Sequence, residues 1–136
     1  MPFQDLKQEI LLKIESGSLG GKDIPEYLKL LCEIGNTNEA VKKIVQGWNR
    51  TISFNILELG SFWIRIRNSS FSSGMGNVDT AHIVLSLSQE LAVSMFKGEI
   101  KPGQAFMNGQ LQFEGNFSDI HIFQKMIKLI GAEIRN

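Results

Sequence analysis

Residues 49–67 read Asn49-Arg50-Thr51-Ile52-Ser53-Phe54-Asn55-Ile56-Leu57-Glu58-Leu59-Gly60-Ser61-Phe62-Trp63-Ile64-Arg65-Ile66-Arg67. Here the apolar spacing changes from helical to strict alternation. Ile52, Phe54 and Ile56 alternate with Thr51, Ser53 and Asn55; past the Glu58-Leu59-Gly60-Ser61 turn, Phe62, Ile64 and Ile66 alternate with Trp63, Arg65 and Arg67. Successive strand side chains point to opposite faces, so a period of two puts one apolar row on each strand, and the turn residues between make the pair a hairpin. Trp63, Arg65 and Arg67 share the polar phase. A guanidinium there can meet a carboxylate or phosphate headgroup, but a solvated strand face is the expected role of Arg65 and Arg67.

Upstream, Val41, Ile44, Val45 and Trp48 recur at the spacing of one helical face, with Asn36 or Thr37 as the cap. Leu28, Leu31 and Cys32 make the inner side of a helix starting near Pro25 and stopping at Gly35-Asn36. Phe3, Leu6, Ile10 and Ile14 mark a first helix, ended by Ser16-Gly17-Ser18-Leu19-Gly20-Gly21. Downstream, Phe71 to Val78 is rich in Ser and Gly and suits an edge strand or a mobile loop, and Ile83, Val84, Leu85 and Leu87 make a strong strand. Ser88 caps a helix carrying Leu91, Met95 and Phe96 and ending at Gly98; a short helix over 101–107 closes at Gly109, and Leu111 and Phe113 alternate in a last strand. The final helix is expected from about Ser118 to Ile134. Helices over about 1–48, then a mainly antiparallel sheet with covering helices over about 49–136, make a single α+β domain.

The 136-residue chain is 43% hydrophobic and 21% charged with three prolines, a composition that folds around one core. Fourteen Lys+Arg balance fourteen Asp+Glu, which leaves no global field to collect phosphates and argues against a nucleic-acid partner. One cysteine, Cys32, cannot close an internal disulfide. With a start lacking signal-peptide character and an ending, Glu133-Ile134-Arg135-Asn136, unlike a Ser-Lys-Leu address, a cytoplasmic setting is expected. The Asn-x-Ser/Thr triplets at Asn49, Asn68 and Asn116 are read as accidental. No apolar run reaches the ~20 residues of a membrane span, so membrane contact is expected to be transient.

The stretch from Val78 onward carries an ordered set of motifs: Asp79-Thr80-Ala81 before a strand, Phe96-Lys97-Gly98, Lys101-Pro102, Gln104-Ala105-Phe106, Gly109, and Leu111-Gln112-Phe113-Glu114-Gly115-Asn116. This set resembles the sterol-carrier-protein-2 family. With the Trp48–Arg67 hairpin the likeness spans roughly two thirds of the chain. The resemblance implies a five-stranded sheet covered on one face by helices, and an apolar tunnel between them. That tunnel would hold a fatty acyl chain, acyl-CoA, sterol or isoprenoid for transfer or presentation, without catalysis or a cofactor. The chain departs from the family in having Asn108-Gly109-Gln110 where Gln-Gly-Lys is common, a shorter first turn and a longer helical N-terminus.

Candidate ligand-lining residues follow the elements. Phe54 and Trp63 come from the hairpin, Met95 and Phe96 from the helix after Ser88, Ala105, Phe106 and Met107 from the short helix, and Phe113 from the last strand. The final helix adds Phe123, Met126, Ile127 and Ile130. Phe123, Ile127, Ile130 and Ile134 make one apolar stripe there, with Ile122, Met126 and Leu129 beside it. Either the helix wedges between sheet and neighbour, or one stripe faces a cavity in which flexible thioethers adapt to the ligand. An accessory domain lending its groove to an enzyme or a second copy is the other use of such surface; monomer and homodimer both remain open. No Gly-x-Ser-x-Gly elbow, Walker loop or dinucleotide glycine pattern is present, and His82, His121 and Cys32 lack metal-ligand spacing. Asp79 and Glu114 are read as surface carboxylates, so no catalytic or metal residues are assigned.

Overall fold

Ser88 heads the helix that follows the strongest strand, and its Oγ accepts the Leu91 N–H at 3.1 Å, which stops strand pairing and starts a helix within one residue. The computed structural model describes residues 2–136, with side chains from residue 4 onward, so the Phe3 side chain of the expected first stripe lies outside what is described. In chain order the elements are α1 (Pro2–Ser16), a single 3-10 turn (Gly21–Asp23), α2 (Ile24–Thr37), α3 (Glu39–Ile44), β1 (Arg50–Ile56), β2 (Gly60–Arg67), β3 (Ser70–Met75), β4 (Ile83–Leu87), α4 (Gln89–Phe96), α5 (Pro102–Met107), β5 (Gln112–Glu114) and α6 (Asp119–Arg135).

The five strands lie in the order β3-β2-β1-β4-β5. All neighbours are antiparallel except β1 and β4, which run parallel with Phe54 opposite Leu85. The sheet is therefore mixed but mostly antiparallel. Ile52, Phe54, Ile56, Phe62, Ile64, Ile66, Ile83, Leu85 and Leu87 are buried on one face, and helices cover that face. The connection from β2 to β3 is the two-residue turn Asn68-Ser69, with φ of 50° and 61°, the positive values that match the twist of a tight hairpin. The Ser/Gly-rich segment after Phe71 is thus an edge strand.

Three helix boundaries differ from the sequence expectation. Gly35-Asn36 does not stop α2, which runs through Thr37. Gly35 is buried in the helix because a Cβ there would stand 2.5 Å from the Phe71 ring; close packing against β3 outweighs the ~1 kcal/mol helix penalty of glycine. Asn36 works sideways: its Nδ2 donates to the Phe71 carbonyl (3.0 Å) and its Oδ1 accepts the Phe71 N–H (2.7 Å), pairing an edge-strand residue as a further strand would. The cap of α3 is Asn38, whose Oδ1 accepts the Val41 N–H at 3.0 Å. That helix ends at Ile44, so Trp48 lies beyond it.

Candidate functional site

Phe54 projects from the inner face of β1 and meets Phe123 of α6 at a ring separation of 6.1 Å. Met95 and Phe96 of α4, Ala105 of α5, and Met126, Ile127 and Ile130 of α6 belong to the same buried cluster, none above 5% exposed. Phe106 and Phe113 are partly buried against it, 6.1 Å apart edge to face. Within this cluster Phe96 turns toward α2, stacking on Tyr27 at 4.2 Å, and Tyr27 donates its O–H to the Phe96 carbonyl at 3.3 Å.

Met107 and Trp63 stand apart from the other candidates. Met107 is 78% exposed at the end of α5. Trp63 is on the sheet face away from the helices, over Gly74, with the Arg65 guanidinium 5.0 Å from its ring centre. Arg65 also turns its Nε toward Thr51 Oγ1 at 3.4 Å, so it covers the polar face of the hairpin. Burial pushes the Cys32 thiol up to about 11, and the thiol stays protonated at neutral pH.

The cluster is bounded on one side by α5 and α6. The two helices run in opposite directions: the Gly103 N–H donates to Gln124 Oε1 at 2.9 Å near the start of α5, and Phe106 meets Phe117 at 5.6 Å at its far end. Lys101 offers no side-chain cap, so Gln124 satisfies one of the N–H groups that a helix start leaves unpaired. Between the helices lies a groove of about 280 Å³ lined by Ile100, Lys101, Pro102, Gln124, Lys125, Ile127 and Lys128. Sequence reading missed this groove, because it exists only once Ile100 and Pro102 are laid against α6.

The start of α6 is fixed by another feature that spacing did not reveal. Asp119, 3% exposed, accepts the Trp48 indole N–H at 2.8 Å and Arg50 Nε–H at 2.9 Å. Burial works to raise its pKa, but the hydrogen bonds from Arg50 and Trp48 and the Arg50 charge prevail and hold it below the ordinary value. One polar signal was visible in the sequence, an acidic residue in the first turn of the last helix.

A sequence model of the SCP-2 sterol transfer family matches residues 28–130. The chain belongs to the SCP-2 sterol transfer family. Membership implies lipid binding or transfer. Among curated proteins the chain is similar to hydroxysteroid dehydrogenase-like protein 2 of Xenopus tropicalis, 30% identical over 120 residues that make up 88% of this chain and 27% of that one. Its rat counterpart is 35% identical over 76 residues, 55% of this chain and 14% of that protein. The chain thus spans a small part of the curated relatives it matches. A crystal structure of sterol carrier protein 2 superposes with a TM-score of 0.62 at 15% identity, covering 77% of this chain and 93% of that one. Apo sterol carrier protein 2 of Yarrowia lipolytica gives 0.56 at 19% identity, over 72% and 84%. Part of the sec-alkylsulfatase Pisa1 from Pseudomonas sp. gives 0.62 at 14% identity, over 76% of this chain and 16% of that one. These structures share the SCP-2 fold. Among the described residues no helix is long and apolar enough to cross a membrane.

Proposed function

We propose that the chain, as one domain, binds an apolar lipid without covalent chemistry and transfers or presents it, with the lipid tail between the inner sheet face and α4, α5 and α6. The observation that carries this reading is the single apolar cluster joining Phe54, Met95, Phe123 and Met126 across three elements. Its lid is α5, a six-residue helix that leans on α6 through the Gly103–Gln124 hydrogen bond and, through Phe106, on Phe113 and Phe117. A helix this short has little stability of its own and depends on its neighbours. The side chains of the cluster occupy the space a tail would take, so uptake requires α5 to swing outward; unbranched Met95 and Met126 then repack around tails of different shape. Affinity follows apolar burial at about 0.8 kcal/mol per CH₂, close to fourfold per methylene. Family membership and the buried, protonated Cys32 both fit a non-catalytic carrier in a reducing, cytoplasmic compartment.

The test is native mass spectrometry of the purified protein followed by lipid extraction, alongside Phe106→Asp and Ile127→Asp variants whose folding is checked by circular dichroism. The expected result is one apolar molecule per chain, lost in both variants. A wild-type protein that emerges empty and ignores fatty acids, acyl-CoAs and isoprenoids overturns the reading.

A further inference from the structure

The α5/α6 layer has two chemically distinct sides. Pro102, Ala105, Phe123, Met126 and Ile130 face inward, and the outward side carries Lys101, Lys125 and Lys128, all exposed. Among the described residues none of these three lysines lies within 4 Å of a carboxylate. Asp119 is engaged by Arg50 and Trp48, Glu133 by Lys7 and Asn38, and Glu99 by Lys97. On a chain of zero net charge, three cations around one groove are a local excess. The layer also exposes large apolar groups. Because α5 and α6 are antiparallel, the lysines sit at one end, and Met107 (78% exposed) and Phe117 (55% exposed) sit at the other. The rise along α5 separates Lys101 from Met107 by about 9 Å, and Lys125 and Lys128 lie farther than that along α6 from Phe117.

We propose that this outward surface is a docking face for an anionic lipid bilayer, with Lys101, Lys125 and Lys128 at the headgroups and Met107 and Phe117 inserted among the upper acyl carbons. Charge complementarity selects the bilayer. Lysines near an anionic leaflet are attracted strongly enough to change binding about fivefold each, and the pull fades within a Debye length of ~8 Å at physiological salt. Partly inserted apolar side chains add a salt-independent contribution. An acidic surface would be repelled by anionic headgroups and an uncharged one would not distinguish them, whereas this face carries unpaired lysines at one end and exposed apolar groups at the other.

The test is co-sedimentation of the full chain with vesicles of equal parts phosphatidylglycerol and phosphatidylcholine, compared with phosphatidylcholine alone. The wild type is expected to bind the anionic vesicles, and to bind them less as salt is raised. Lys125→Glu/Lys128→Glu, at exposed positions that leave the core intact, should weaken binding tenfold or more on the scale of about fivefold per lysine. Met107→Ser/Phe117→Ser should weaken it at every salt concentration. Lys43→Glu/Arg67→Glu, a like change of charge at exposed positions on α3 and β2, should bind nearly as the wild type does. Failure of the wild type to bind anionic vesicles, or equal loss in the two charge-reversal variants, overturns the inference. Sedimentation needs no cargo in the protein, so its outcome is independent of whether a lipid copurifies.

Discussion

Asp119 holds a carboxylate out of water, kept ionised by the Trp48 N–H and the Arg50 guanidinium. Its pKa lies below the ordinary 3.8. The interaction therefore contributes fully above that pH and is lost as the pH falls through the folded value. Asp119→Asn should lower stability at pH 7 by about 2 kcal/mol, less than the roughly 3–5 kcal/mol for breaking a fully buried ion pair because Arg50 keeps part of its side chain in water. The two proteins should converge in melting temperature as the pH drops below 4; thermal melts from pH 7 to pH 3 check this, and a gap that stays constant across that range contradicts it. Trp48 shows how a residue is legible in one respect only. Its spacing from Val41 and Val45 identified a buried aromatic, which it is at 5% exposure, but the partner of its N–H lies 71 residues away and no local pattern encodes it. Trp63 is the complementary case: its phase in the alternation placed it on the polar face, where it packs over Gly74, and the candidate ligand contact came from residue type alone.

The elements that announce themselves are those whose period and cap agree. The first hairpin and α4 are of this kind, with Ser88 donating no ambiguity because its hydroxyl is the cap. Where a local signal competes with packing, packing prevails, as at Gly35, where the absence of a side chain admits Phe71 instead of ending the helix. In the proposed function α5 is the lid on which uptake depends. Gln124→Ala removes the acceptor for the Gly103 N–H and leaves the apolar contacts of Phe106 in place. The loss of one hydrogen bond, about 1 kcal/mol, should raise opening of α5 about fivefold. Hydrogen exchange over residues 102–107 is expected to quicken by that factor while the strands β1 and β2 exchange as before. Uniform acceleration across the sheet would mean that Gln124 supports the whole fold and not the lid.

At the scale of the molecule, an SCP-2 domain emerges from one decision about faces. Helices cover the side of the sheet that carries Ile52, Phe54, Ile64 and Leu85, and the opposite side keeps Arg65, Trp63 and Ser72. The fold class and the helical N-terminal region were legible because they rest on periodicity and on the ordered motifs after Val78. The parallel pairing of β1 with β4 and the α5/α6 groove were not, since both arise from contacts between segments far apart in the chain. The proposed function requires a lipid tail to lie on the inner face of that sheet. The most direct measurement is photolabelling with a long-chain fatty acid bearing a diazirine at its terminal carbon, with adducts mapped by tandem mass spectrometry. Adducts on Phe54, Met95, Phe123 or Met126 are the predicted result. Labelling confined to the outer sheet face around Trp63, or no labelling above that of an unfolded control, would contradict it.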